Sequence, residues 1–290
     1  MSRMPNKRLK LTGGDRFSGT GVLCPWRGTD CRPTPLRRRA GRPQLKRDPL
    51  GCCTREMDDF HIAAHSSRGV LFEHVDEPEF IYYGVGSGVV FTWEGRGYFA
   101  TAEHVANKGR DHTIRIAVDD EGRECYPFDK SYGIHADDED WKDIRFYRIA
   151  KGTDEGRWFG KVLALDLAKL SRGQRLYHTG AELLVSGYPN TARYVDYQAY
   201  HISMQRQLIP ARYDSPDPTA RLKHLIRIAT GNEVTSFDGL SGAPVIAGTP
   251  QGTAFLGMVI QGTVSSGVAY MIDGAVFAKF LQYAVTEAAA

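Results

Sequence analysis

From about residue 80 onward, short runs rich in β-branched and aromatic residues recur, each closed by turn-forming residues, and this rhythm restricts the chain to an all-β fold. Residues 85–91 and 97–101 read as two strands joined by a hairpin turn at Glu94-Gly95-Arg96-Gly97. Over 113–118, Ile114, Ile116 and Val118 alternate onto one face, and over 143–149 Ile144 and Phe146 do the same. The stretch Leu183-Leu184-Val185-Ser186-Gly187 is stopped by Tyr188-Pro189. Further strands are predicted at 197–204, 225–229, 243–247, 254–261 and 268–272. The last element, 273–285, spaces Val276, Phe277, Phe280 and Leu281 as one face of an amphipathic helix with Asp273 as its N-cap. Many short strands and a single terminal helix predict barrels, not a doubly wound parallel sheet.

Charge and cysteine divide the chain at one place. Residues 1–55 carry 14 of the 37 Lys and Arg against three Asp, so the remaining residues hold 23 basic and 31 acidic side chains and are net acidic. Cys24, Cys31, Cys52 and Cys53 lie in the same basic stretch, leaving Cys125 alone in the body, which therefore has no internal disulfide to form. Neither the spacing of these cysteines nor the placement of histidines matches a zinc site, and no metal or cofactor is expected. Residues 1–56 lack hydrophobic periodicity and are rich in Arg, Pro and Gly, which predicts a disordered basic tail. Such a tail is either an arm for nucleic acid or an acidic partner, or lies outside the natural protein, with Met57 as the start; the abrupt change of composition favours the second. Residues 57–79 read as a lead-in, and 80–290 as the folded body. There is no run of about 18 apolar residues to span a bilayer and no secretory apolar segment, so a cytoplasmic protein without membrane contact is expected.

Three separated motifs carry chemistry. Phe237-Asp238-Gly239-Leu240-Ser241-Gly242-Ala243-Pro244-Val245 sets one serine between glycines just ahead of a strand. Upstream, Gly86-Ser87-Gly88-Val89-Val90-Phe91 leads toward Tyr98-Phe99-Ala100-Thr101-Ala102-Glu103-His104-Val105. Between them, Trp141-Lys142-Asp143-Ile144-Arg145-Phe146 supplies an acid. A serine hydroxyl needs a neighbouring base to become nucleophilic, histidine titrates in the useful range, and a carboxylate holds the imidazole in the right tautomer. Asp143 opens an alternating strand and is the preferred acid, with Asp140 in the acidic loop before it as the alternative.

These motifs, in the order His104, Asp143, Ser241 and spaced by 39 and 98 residues, resemble the trypsin/chymotrypsin-like serine peptidases over roughly residues 83–283. The resemblance implies two antiparallel six-stranded β-barrels, at about 80–165 and 175–270, with the helix 273–285 packed on the second. It implies a serine endopeptidase in which Ser241 attacks, His104 is the base, Asp143 orients it, and the N–H groups of Gly239 and Ser241 form the oxyanion hole. Gly257-Met258-Val259-Ile260-Gln261-Gly262 resembles the strand on which Ile260, Gln261 and Gly262 bind an extended peptide. Thr235 stands where trypsin-type enzymes keep an acid, which points to small or uncharged substrate side chains. Leu240 replaces the aspartate that digestive enzymes place before the nucleophile, and Ala243 replaces a glycine. Both departures are similar to the intracellular, high-temperature-requirement-like or viral-like branch, and the Gly187-Tyr188-Pro189 strand end resembles bacterial, intracellular-type trypsin-like domains. A peptide or protein is the expected partner and nucleic acid is not; the oligomeric state is left open. The alternative function is a catalytically silent member of the fold that binds peptides or partner proteins.

Overall fold

The computed structural model describes residues 63–73, 82–93, 95–108, 113–117, 125–133, 143–150, 163–164, 176–196, 201–229, 236–249, 252–279 and 282. Residues 1–56, with the predicted tail, and Asp140 and Thr235 lie outside the described residues.

Fifteen strands are described. The first seven are β1 (Ser67–Glu73), β2 (Tyr82–Trp93), β3 (Arg96–Thr101), β4 (Ile114–Arg115), β5 (Phe128–Gly133), β6 (Arg145–Ile149) and β7 (Leu163–Ala164), with the one-turn helix α1 (Glu103–Ala106) after β3. They form one sheet in the order β4-β1-β2-β3-β6-β5, β7 pairing with β2. An isolated bridge, Ala117↔Cys125, and a bond from Tyr126 N–H to the Ile116 carbonyl (2.9 Å) join the two ends of that order. The second unit contains β8 (Glu182–Gly187), β9 (Arg193–Asp196), β10 (His201–Met204), β11 (Gln207–Pro216), β12 (Lys223–Ile228), β13 (Pro244–Thr249), β14 (Gly252–Thr263) and β15 (Val268–Asp273). Here β11-β12-β15-β14-β13-β8 is a closed barrel, and β9 and β10 form a separate hairpin. Among the described residues no helix is long and apolar enough to cross a membrane.

Alternation explains the legible strands. Along β12 the pattern places His224, Ile226 and Ile228 inside while Arg227 faces out. Five strands, β1, β5, β7, β9 and β11, lie outside the predicted runs. β1 lies within the stretch 57–79 read as a lead-in, yet it pairs with β2 along its whole length. β11 occupies a stretch holding arginine and prolines in which no strand is predicted. Its inward residues Ile209, Ala211 and Tyr213 are buried, and Pro210 and Arg212 simply take the outer face.

The C-terminal helix α2 (residues 274–279) begins where expected, with Asp273 Oδ1 accepting the Ala275 N–H at 2.7 Å. Its packing differs from expectation. Phe277 meets Phe255 of the second barrel at 4.9 Å between ring centroids, and also Phe146 (5.1 Å) and Phe91 (5.8 Å) of the first sheet. The helix therefore seals the seam between the two units. Edge-to-face ring pairs of this kind add about 0.5–1.5 kcal/mol each beyond area burial.

Candidate active site

His104 and Asp143 come together in the first unit. β3 ends at Thr101, Ala102 is extended (φ −68°, ψ 141°), and α1 starts with no side-chain cap. The free N-terminal N–H of His104 is instead satisfied by Asp143 Oδ1 at 3.1 Å. The same carboxylate receives His104 Nδ1 at 2.9 Å (Oδ1) and 3.1 Å (Oδ2). A carboxylate partner puts the proton on Nδ1 and leaves Nε2 free to accept one. Side-chain exposure is 45% for His104 and 25% for Asp143, so the carboxylate is only partly buried.

Ser241 belongs to the second unit but is tied to the first. Its carbonyl accepts the Ser87 N–H of β2 at 2.9 Å. A methyl group on Gly86 would lie 2.8 Å from Val105 Cγ1, next to His104, and 3.2 Å from the Ser241 carbonyl oxygen. The residue after His104 and the backbone of Ser241 thus meet at one point on β2. The Ser241 hydroxyl donates to the Ile260 carbonyl at 3.0 Å, and no hydrogen bond joins it to His104.

The loop before Ser241 is built to aim backbone N–H groups. Gly239 (φ +89°) and Gly242 (φ +92°) take left-handed conformations closed to other residues. A Cβ on Gly242 would collide with the Ser87 carbonyl, and one on Gly239 would lie 2.5 Å from the Tyr188 carbonyl. The Asp238 carbonyl accepts the Asn190 N–H (2.8 Å) and the Leu240 carbonyl accepts the Ala243 N–H (2.8 Å). Because each peptide is planar and trans, fixing those carbonyls turns the N–H groups of Gly239 and Ser241 the opposite way. Among the described residues, neither N–H has an acceptor.

Beside this loop runs an unpaired edge. On one side β14 pairs with β13 only as far as Pro244↔Met258, while on the other it follows β15 out to Thr263↔Val268. Val259 is engaged by Gly242 and Ala243, so Ile260, Gln261 and Gly262 face no described strand on the β13 side. Phe237 lies against this edge: a Cβ on Gly262 would be 2.8 Å from its Cδ2.

Sequence reasoning missed four contributors. Ser87, fully buried, donates its hydroxyl to the Gly239 carbonyl (2.6 Å), accepts the Tyr188 N–H (2.8 Å), and offers its carbonyl to Thr101 Oγ1 (2.7 Å). Its flanking glycines were the only available signal, since glycine inside a strand marks close backbone approach. Asn190 holds the Asp238 peptide, Phe237 backs the edge, and Arg145 makes a two-point ion pair with Glu103. Of the other histidines, His224 is buried and bonded to Tyr213 and Asp273, a packing role.

A scan against protein-family models finds no match, and a search of curated proteins finds none. Solved structures do match. The chain is similar to the serine endoprotease from Yersinia pestis, with a TM-score of 0.52 at 15% identity over 79% of this chain and 65% of that one. It is also similar to kallikrein-related peptidase 10 in complex with Zn2+, with a TM-score of 0.53 at 14% identity over 78% of this chain and 98% of that one. The chain thus spans just under two thirds of the Yersinia protein. These neighbours are trypsin-like serine proteases, and the shared property is the chymotrypsin-like fold.

Proposed function

We propose that the protein is a serine endopeptidase acting through His104, Asp143 and Ser241. The observation that carries the reading is a carboxylate-paired imidazole whose neighbour Val105 meets the backbone of a glycine-flanked serine at Gly86 of β2, beside two backbone N–H groups that have no acceptor among the described residues. In the reaction, Ser241 Oγ leaves the Ile260 carbonyl and gives its proton to His104 Nε2 as it attacks the scissile carbonyl. Asp143 stabilises the imidazolium. The oxyanion accepts from the Gly239 and Ser241 N–H groups, each donor of this kind being worth about 3–4 kcal/mol. Collapse of the intermediate breaks the C–N bond, and the amine takes the proton from His104. Water then repeats the sequence on the acyl-enzyme with the same base.

The extended peptide adds to the edge at Ile260, Gln261 and Gly262. The Phe237 ring under that edge, with Thr235 before it, favours small or uncharged side chains. Cys125 as the single cysteine of residues 57–290 suits a cytoplasmic, intracellular-type peptidase.

One observation favours the second reading, a silent peptide-binding member: the Ser241 hydroxyl rests on Ile260 and not on His104. A fluorophosphonate probe separates the two. Labelling that disappears in Ser241→Ala is the expected result; a wild-type protein that resists labelling while still binding peptides overturns the enzyme reading.

A further inference from the structure

We propose that Glu103 and Arg145 are positioning residues whose ion pair sets the contact between His104 and Asp143. Arg145 donates from Nε to Glu103 Oε2 at 2.9 Å and from Nη2 to Oε1 at 2.7 Å, a side-by-side fork. The two side chains are 17% and 20% exposed, so solvent screens them little. Glu103 is the residue before His104, and Arg145 is two residues after Asp143. The fork therefore joins the two short segments that carry the base and its acid.

Those segments need such a tie. α1 has four residues and an uncapped start, too short to hold its own geometry. Val105 and Ala106 bury one side of it, but His104 itself is exposed. On the other segment, Arg145 is fixed by register opposite Thr101 of β3 and Gly133 of β5. A Cβ on Gly133 would stand 3.3 Å from the guanidinium, so the bare glycine gives the fork its room. Glu103 and Arg145 touch neither the nucleophile nor the unpaired edge in any bond described above. Their effect on the reaction passes through the imidazole.

The kinetic consequence rests on the peptidase reading; the geometric one does not. The test is the His104 Nδ1–H proton resonance, which reports the hydrogen bond to Asp143, followed by NMR in wild type, Glu103→Gln and Arg145→Gln, alongside thermal melts and kcat/KM. A merely structural pair lowers the melting temperature and leaves that resonance in place. Loosening the Asp143 contact moves or broadens it in both variants. The expected result is that change in both, with kcat/KM reduced at least tenfold, a displacement of about 1 Å at a reacting group being enough for about 10²-fold. Arg145→Lys, which keeps the charge without the fork, is expected to fall between wild type and Arg145→Gln, and it stands in should Arg145→Gln fail to fold. The swap Glu103→Arg with Arg145→Glu restores part of the loss. An Arg145→Gln protein, or in its place Arg145→Lys, that folds with the His104 Nδ1–H resonance as in wild type overturns the proposal. Absence of fluorophosphonate labelling in wild type, with the His104 Nδ1–H resonance still responding to the fork, would instead sink the peptidase reading and leave the clamp standing.

Discussion

Removing one hydroxyl, in Ser87→Ala, should weaken both the junction of the two units and the reaction. Ser87 Oγ donates to the Gly239 carbonyl at 2.6 Å and accepts the Tyr188 N–H at 2.8 Å, and all three residues are buried. Alanine leaves both backbone groups without their partner, and each such group costs about 1–3 kcal/mol. The expected loss is about 2–4 kcal/mol, a large share of the roughly 5–15 kcal/mol that holds a typical domain. The Ser87 N–H and carbonyl keep their bonds to Ser241 and Thr101, so the serine stays near its place. What loosens is the Gly239–Leu240 peptide behind the proposed oxyanion donors, which should lower kcat roughly tenfold, about 1.4 kcal/mol, with KM little changed. Ser67→Ala is the control. It removes another fully buried serine hydroxyl that bridges the units, to the Ser186 carbonyl at 2.7 Å, but one outside the nucleophile loop. Urea melts with steady-state kinetics on both variants decide the matter. A Ser87→Ala protein within about 0.5 kcal/mol of wild type, the ordinary scatter of surface changes, would refute the reasoning. So would an equal fall of kcat in Ser67→Ala.

Asp143→Asn should keep the fold and lower turnover by about 10⁴-fold, the scale seen when the imidazole is held in the wrong tautomer, whereas Asp140→Asn should work normally; ester turnover by the two variants checks the assignment. Asn190→Pro deletes the N–H that holds the Asp238 carbonyl, so turnover should fall at least tenfold while labelling of Ser241 slows in parallel, in keeping with the worth of an aimed oxyanion donor. Burial first, and then the Asp273 carboxylate, push the Tyr177 phenol well above its ordinary value. With the unfolded phenol near 10, the stability this group contributes is complete below about pH 10 and declines as pH rises beyond it. Urea melts from pH 8 to 11 should show that decline, and Tyr177→Phe should reduce it. Part of the slope should persist through Tyr213, which burial also raises.

Local patterning carried much of the architecture. β2, β3, β8 and β12 to β15 were readable because their core faces alternate with outward residues or form short apolar runs bounded by turns, a property of each segment alone. β1 and β11 were not. Ser67-Arg68-Gly69 and the prolines of 207–216 weaken the local preference, and the strands exist because neighbours on both sides pair with them. Likewise Phe277 was legible as a core face of a helix, yet the unit it would meet was not, since Phe91, Phe146 and Phe255 reach it from distant elements.

The site divides in the same way. A glycine-flanked serine, a histidine after a strand and an aspartate ahead of one are chemical types at recognisable local positions, so these motifs and their resemblance to the trypsin-like peptidases nominated Ser241, His104 and Asp143. Ser87, Asn190 and the Glu103–Arg145 fork are common residues whose meaning lies in partners far along the chain: Ser87 meets Gly239 across 152 positions, and Arg145 meets Glu103 across 42. Which hydroxyl braces the loop before Ser241 is decided only when the two units close on each other, whereas the peptide turned by Asn190 and the cation that ties the His104 segment to the Asp143 segment are set by contacts within one unit. Hydrogen bonds and ion pairs act over a few ångströms of space, and sequence distance does not encode that separation.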